Sequence, residues 1–483
     1  MAGTLHHYSV EEVAMATTVE RPKPVVLPQY CKGCGRCIES CAKHCIELGK
    51  EINPATGLVP VVVDLENCSG CGLCFAACPE PYGLAPAPAE GLGGDLHPET
   101  VFGPKPTTAP VPHKIPDTTL RLPETEPLVI KGTYASAIGA LLAGCRHFFG
   151  YPITPSTEGA ELMAKLLPQL DGVFVQAVSE VATVNLMYGC GGAGLPSMTF
   201  TSSPGFSLML EGISYMVGAE VPGVFVNVMR GGPGLGNIGP EQADIKLACR
   251  GLGHGNTHAI VLAPATPQEM LDFTLLAFKL AFEYRNPVVV LCDGYLGQMT
   301  GRVMLPDFLV KPGIPEWAVY GDRMHRRNLI SSIQLSETDL EAHNVRLNEK
   351  YRRITETEQR ADLSHCEDAE ILLVACNTPA RMAKGAVRAL RQEGIRAGLF
   401  RPQTLWPFPV QLLRPVIEAA RTLVVVEASN GQLEDEMRLA LSHAGVQALP
   451  PIVSVRHFGG VLPQQGEIVE KARAAARLEG VAS

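Results

Sequence analysis

The chain has 483 residues, 46% apolar and 18% charged, with a net charge of −9 at pH 7. That length exceeds one ordinary core and predicts roughly two to four domains, while the acidic balance excludes nucleic acid as the main partner, because phosphate neutralisation needs a basic surface. No run approaches the ~18 uninterrupted apolar residues of a membrane span.

In chain order, residues 1–25 form an extension with early acids and no apolar stretch of the signal-peptide kind, so a cytoplasmic location is expected. In that compartment the 15 cysteines serve as thiols or metal ligands rather than disulfides. Nine of them lie between Cys31 and Cys78. Cys31, Cys34, Cys37 and Cys41 are spaced C-x2-C-x2-C-x3-C, and Cys68, Cys71, Cys74 and Cys78 repeat the spacing, with Pro79 after the last. Zinc modules instead present ligand pairs a dozen or more residues apart. Three thiols at successive i+3 steps wrap one cuboidal cluster, and the fourth serves the other cluster. The expected ligand sets for two [4Fe–4S] clusters are therefore Cys31, Cys34, Cys37 and Cys78, and Cys68, Cys71, Cys74 and Cys41. Gly33, Gly35, Gly70 and Gly72 suit turns that need positive φ. Residues 26–85 resemble a two-cluster bacterial ferredoxin. They depart from it at Ala42, where Pro is usual, and in the additional Cys45, expected as a small apolar filler or shield beside a cluster, with an alternative ligand role as the other reading.

Ten prolines between Pro86 and Pro127 predict an extended linker. From 128 to 305, short apolar runs such as "GVFVNVMR" and "PVVVLCD" alternate with helical stretches, which predicts a parallel sheet covered on both faces. Residues 306–368 lose that rhythm and are expected as a helical connector, with Ser336 as an N-cap. Residues 369–483 then form a second α/β domain.

Two glycine patterns suggest dinucleotide binding. "GCGGAG" (189–194) follows a helical run and precedes a strand, the reverse of the fingerprint order, and "GPGLGNIG" follows a strand but opens no helix and is bracketed by Pro233 and Pro240. A more extensive constellation is "FGYPITPSTE", "VSEVATVNLMYGCGGAG", "TFTSSPGFSLMLEGISY" and "NVMRGGPGLGNIGPEQAD", in that order. Residues 128–305 thereby resemble the α subunit of 2-oxoacid:ferredoxin oxidoreductases. The region with "RPQTLWPFP" and "VVEASNGQ" resembles the next domain of that subunit, a transketolase C-terminal-like fold.

The resemblance implies a pyrimidine-type thiamine diphosphate domain, coenzyme A as co-substrate, and electrons passed to ferredoxin or another external acceptor. It places the carboxylate that holds the cofactor's aminopyrimidine on Glu180, and substrate-carboxylate contacts on Thr154 and Arg230. Pro152, Ser203, Gly205 and Phe206 would shape the same pocket, while Asn237 and Glu241 are expected as loop caps. Taken alone, Glu180 is a helix-start acid complementing the dipole, Thr154 an N-cap and Arg230 a salt-bridge former. The chain lacks the Gly-Asp-Gly of a Mg²⁺-diphosphate site; its nearest approach, "CDGYLG" at Cys292, has no following Asn at the required distance. A β subunit is therefore expected to supply that half-site, with a γ subunit completing the complex. "MRGGPGLGNI" favours a branched-chain 2-oxoacid, with 2-oxoglutarate, pyruvate and aryl glyoxylates as alternatives. A catalytically silent electron-transfer scaffold and a NAD-linked flavoprotein subunit are the competing readings.

Overall fold

A computed structural model describes residues 21–80, 83–86, 114–325 and 327–480. The chain divides into two compact units, Met1–Pro110 and Val111–Ser483.

The first unit has little regular structure. Pro24–Val26 pairs antiparallel with Leu84–Pro86, and Ile46–Leu48 with Val61–Val63. Two short helices, Arg36–Glu39 and Leu73–Ala77, start at Gly35 and Gly72. All four glycines expected in the left-handed region lie there: φ is 65° at Gly33, 77° at Gly35, 63° at Gly70 and 80° at Gly72. The buried centre is rich in sulfur: Cys31, Cys37, Cys41, Cys45 and Cys74 pack with Ile46, Val61 and Leu84, and Val26, Ile38, Val63 and Phe75 are partly buried against them.

The second unit is built on two main sheets, beside two short antiparallel pairs. The larger has seven strands in the order Thr404–Trp406, Ile260–Leu262, Pro287–Asp293, Gly223–Met229, Ser197–Thr201, His147–Gly150 and Val173–Gln176. Its strands are parallel except Thr404–Trp406, which runs antiparallel at the edge. Every residue of Gly223–Met229 and Pro287–Asp293 is buried, as continuous apolar strands covered on both faces should be. The helix Pro267–Tyr284 shows how sharply such a cover is started. Thr266 caps it, accepting from Glu269 N–H at 3.1 Å, Pro267 occupies its first turn, and the Glu269 carboxylate accepts from Ala265 N–H at 2.7 Å.

The smaller sheet runs Ala361–Ser364, Ala397–Pro402, Ile371–Val374, Thr422–Glu427, Ile452–Arg456, parallel apart from its first edge. Ala361–Ser364 belongs to the stretch expected as a helical connector, which also contains the helix Glu337–Thr357, capped by Ser336 accepting from Asp339 N–H at 3.4 Å. The end of the proline-rich stretch is likewise paired: Thr118–Arg121 runs antiparallel to Phe308–Lys311. Residues 87–113 of that stretch lie outside the described residues. "GCGGAG" ends the helix Glu180–Gly192 before a strand, and "GPGLGNIG" is a loop with no helix until Ile245; neither has the strand–turn–helix form that dinucleotide binding needs. No helix among the described residues is long and apolar enough to cross a membrane.

A buried polar seam joins the sheets. The Gln242 side chain donates to Cys376 O at 3.2 Å and Asn377 Oδ1 at 3.0 Å, and accepts from Ala428 N–H at 2.8 Å. Asn377, at φ 51°, donates to Pro264 O at 3.0 Å and Leu291 O at 2.8 Å. Asn377→Ala would take the Asn377 amide away from both carbonyls and one acceptor away from the Gln242 amide, which keeps Cys376 O, so a stability loss of about 3 kcal/mol is expected. Denaturant unfolding of the purified chain measures it, and a midpoint equal to wild type would remove the seam from the account of stability.

Candidate active site

The large sheet ends its central strands in one cluster of side chains. Glu180 opens the helix Glu180–Gly192, whose N-cap Ser179 accepts from Ala182 N–H at 3.1 Å. The cap already satisfies the helix start, so the carboxylate is free for other work. It is only 5% exposed, and among the described residues no hydrogen bond or ion pair engages it. A carboxylate this little exposed and without a hydrogen bond is available to a ligand.

Gly205 lies against it. A Cβ there would sit 2.6 Å from Glu180 Oε1, and would also run into the Thr201 hydroxyl. The helix Ser203–Gly218 carries Gly205 and buried Phe206 in its first turn. Ser203 Oγ in the same turn accepts from Arg230 N–H at 3.1 Å. Arg230 follows the strand Gly223–Met229 and is buried; its guanidinium donates to Thr154 O at 2.7 Å and Leu235 O at 3.2 Å. Thr154 and Pro152 lie in the exposed loop after His147–Gly150, and the Thr154–Pro155 peptide is cis. The structure thus brings Glu180 to Gly205, and Ser203 to Arg230 and Thr154, with one helix turn linking the two groups.

Buried polar atoms without partners collect here: Thr201 Oγ1, Ser202 Oγ and Arg230 Nε. Such atoms are rare unless a ligand, an ion or water satisfies them. Together with the Glu180 carboxylate and the side-chain-free Gly205, they fit the polar edge of an aminopyrimidine.

A diphosphate-bound cation does not fit this chain's nearest motif. Asp293 Oδ1 accepts from the N–H groups of Tyr295 and Leu296, both at 3.0 Å, and from the Thr378 hydroxyl at 2.8 Å. Its Oδ2 accepts from Thr378 N–H at 2.9 Å. Burial raises the Asp293 pKa above the usual carboxylate range, against those hydrogen bonds. The motif is a fastener to the smaller sheet.

Two further acids were not singled out as site residues by the sequence. Asp244 is buried and accepts from Asn227 Nδ2 at 2.9 Å; Glu241, expected as a loop cap, accepts from Gly232 N–H at 2.9 Å. Burial raises both carboxyls. Asn237 does serve its loop, its Oδ1 accepting from Gly239 N–H at 2.8 Å and its amide donating to Gly459 O at 2.9 Å.

In the first unit, a cavity of about 130 Å³ is lined by Cys41, Cys45, Cys68, Cys71 and Cys74. The other four thiols form a second group: burial raises the Cys37 thiol, and the neighbouring sulfurs of Cys31, Cys78 and Cys34 add to the effect. Cys45 Sγ lies 3.3 Å from Cys41 Sγ, and burial and that contact push its thiol up to about 12. No trio of His, Cys, Asp or Glu among the described residues is drawn around a single-ion position. Two soft, thiol-lined groups, one of them around a cavity, suit an iron–sulfur cluster each.

Residues 138–362 match the family model for pyruvate flavodoxin/ferredoxin oxidoreductase, thiamine diphosphate-binding. Residues 369–468 match pyruvate:ferredoxin oxidoreductase core domain II, and residues 30–81 the 4Fe-4S dicluster domain. The chain is 46% identical over 347 residues to the ketoisovalerate oxidoreductase subunit VorB of Methanothermobacter marburgensis, covering 71% of this chain and 97% of that one. It is 37% identical over 375 residues to the 2-oxoglutarate synthase subunit KorA of Methanothermobacter thermautotrophicus, covering 71% and 98%. Among solved structures it resembles the 2-oxoglutarate:ferredoxin oxidoreductase from Magnetococcus marinus with 2-oxoglutarate, coenzyme A and succinyl-CoA bound. There the TM-score is 0.65 at 26% identity, covering 72% of this chain and 65% of that one.

The packing at Gly205 gives a direct check. Gly205→Ala places a methyl group against the Glu180 carboxylate and the buried Thr201 hydroxyl, so the variant should melt a few degrees lower and its crystal structure should show Glu180 displaced. An unmoved carboxylate would contradict the contact.

Proposed function

Because the chain belongs to the 2-oxoacid:ferredoxin oxidoreductase family, as an α-type subunit with a 4Fe-4S dicluster domain at its N-terminal end, we propose that it supplies the pyrimidine half of a thiamine diphosphate site. The diphosphate and its Mg²⁺ are held by a β subunit, and a γ subunit completes the assembly. The reaction is the CoA-acylating oxidative decarboxylation of a branched-chain 2-oxoacid. Its electrons leave through two [4Fe–4S] clusters to ferredoxin or another acceptor. The observation that carries this reading is the convergence of Glu180, Gly205, Ser203, Arg230 and Thr154 at one end of a parallel sheet, surrounded by unsatisfied buried polar atoms.

Bound thiamine diphosphate supplies a carbanion-stabilising centre for loss of CO₂. Glu180 holds a proton at the pyrimidine ring nitrogen, and its burial strengthens that hydrogen bond. Arg230 and the Thr154 hydroxyl take the substrate carboxylate, for which the guanidinium has the matching planar donor set. Cys31, Cys34, Cys37 and Cys78 ligate one cluster, and Cys68, Cys71, Cys74 and Cys41 the other.

A partner is supported by the surface around the cluster of side chains. Val178, two residues before Glu180, is 88% exposed, and Leu235, whose carbonyl receives Arg230, is 82% exposed. Ile238 and Phe458 lie exposed beside the same loop. An apolar rim about a polar cleft marks an interaction surface. The higher identity to the ketoisovalerate enzyme than to the 2-oxoglutarate enzyme, together with apolar Leu235 and Ile238, supports the branched-chain assignment.

Glu180→Gln in the assembled complex is expected to lower 2-oxoacid-dependent viologen reduction by about 100-fold or more while iron content stays unchanged. Retained activity would instead make these domains a docking scaffold. Cys41→Ser should remove one cluster signal by electron paramagnetic resonance and leave the other; loss of both, or neither, contradicts the crossed ligand sets. A panel of 2-oxoacids with CoA should show the highest kcat/KM for 3-methyl-2-oxobutanoate, and a 2-oxoglutarate preference would reverse the substrate assignment.

A further inference from the structure

Cys45 is the thiol that the ligand arithmetic leaves over: nine cysteines lie between Cys31 and Cys78, and two four-thiol sets use the others. The fold nevertheless fixes its place. His44, immediately before it, has φ 49°, a left-handed value uncommon in residues other than glycine, and its N–H donates to Cys41 O at 2.9 Å. The chain thus doubles back on the Cys41 turn. Cys45 O then accepts from Asp64 N–H at 2.7 Å, and the strand Ile46–Leu48 follows, paired with Val61–Val63. The outcome is a buried side chain whose Sγ lies 3.3 Å from Cys41 Sγ. It stands on the wall of the same cavity, about 130 Å³, that Cys41, Cys68, Cys71 and Cys74 line. The repeat does not share this residue: at the same spacing after Cys78 the sequence has Tyr82. In the other thiol set, Cys31 Sγ accepts from a main-chain donor, Val61 N–H at 3.4 Å.

We propose that Cys45 is a positioning residue for electron transfer: its thiol donates a hydrogen bond to the Cys41 sulfur and so raises the reduction potential of the cluster held by Cys41, Cys68, Cys71 and Cys74. This rests on the reading of those four thiols as one ligand set. The direction of the hydrogen bond follows from that reading. A ligand sulfur is a thiolate with lone pairs and no proton, whereas a cysteine outside the set keeps its S–H. Reduction adds one electron and makes the ligand sulfurs more negative, so a donor aimed at one of them stabilises the reduced form more than the oxidised. No bond breaks and no proton moves: the electron comes from oxidation of the 2-oxoacid, and the Cys45 proton stays on its own sulfur. Both sulfurs are buried, so water does not compete for the contact. The effect falls on one cluster of the pair and gives a relay built on a repeated motif a downhill end.

The test is a redox titration of the full chain carrying both clusters, followed by electron paramagnetic resonance, with iron and sulfide content measured on the same samples. Cys45→Ala should keep the wild-type iron content and shift one of the two one-electron steps about tenfold toward the oxidised form, ~59 mV lower, with the other step moved less than about twofold. Cys45→Ser retains a donor and should hold that step within about threefold of wild type; a Ser step as low as that of Cys45→Ala overturns the proposal. A mere shield predicts the opposite sign, since water admitted beside the cluster favours the more charged, reduced form. An unmoved or raised potential in Cys45→Ala therefore also overturns it. So does loss of iron from a single cluster, which would make Cys45 a ligand. If Cys45→Ala loads neither cluster, Cys45→Val, which fills the space without a donor, carries the same expectation and the same grounds for rejection. Cys41→Ser separates the two levels. If it loses one cluster while Cys45→Ala leaves both potentials in place, only the tuning role fails. If it keeps both clusters, the ligand sets and the proposal fall together.

Discussion

A primary amide sealed from water must find its hydrogen bonds inside the protein or pay their full desolvation cost, and Gln242 is such a group. Its partners lie at the start of the helix Asn377–Gln392 and at the end of the strand Thr422–Glu427, both in the smaller sheet's half of the unit. Gln242 also sits between Glu241, which receives Gly232, and Asp244, which receives Asn227. One amide therefore locks the loop after Arg230 against the neighbouring half. Asn377 and Asp293 repeat the arrangement one strand away, tying the end of Pro287–Asp293 to the same helix start. Buried polar networks of this kind are rigid because every alternative arrangement leaves a group unsatisfied. The candidate site inherits that rigidity, since Arg230 and the Gly231–Gly239 loop are anchored at both ends.

The first unit obeys a different constraint. Among the described residues few aliphatic side chains are fully buried at its centre beside the thiols, too little apolar area to offset the entropy of ordering its chain. Sulfur replaces hydrocarbon there. Metal–thiolate bonds, formed once thiols are deprotonated, would supply the stabilisation that packing does not. In such a unit the redox centre and the core are the same atoms.

Legibility in the sequence followed the range of the interactions. The thiol framework, its positive-φ glycines and the Ser336 cap depend on neighbours a few residues away, and each is visible as a spacing. The parallel sheet was visible through its unbroken apolar runs. Glu180, Thr154 and Arg230 were named from motif resemblance, because nothing in their local sequence distinguishes them from a dipole acid, a cap and a surface Arg. Asp244 and Gln242 carried no such signal. Their importance comes from partners 17 to 186 positions away, and an Asp before a short helix has an ordinary explanation that the fold happens to refuse. The edge strands were hidden for a related reason. A strand's own residues set its extended form, but which open edge it joins depends on the assembled layers.

Thr404–Trp406 shows what that choice entails. It follows Ala397–Pro402, which belongs to the smaller sheet, yet it hydrogen-bonds to Ile260–Leu262 in the larger one. Trp406 then stacks on His258 with ring centroids 4.5 Å apart, and Tyr351 from the helix Glu337–Thr357 closes edge-on over both. This is donor-strand complementation within a single chain. The smaller half caps the raw edge of its neighbour, so a cut between the halves would expose a sticky sheet margin and an unstacked indole. The two halves are separable as sequence modules but behave as a single unit for inheritance and for engineering. A recombination that exchanges one without the other would have to rebuild that shared margin before it could alter the chemistry.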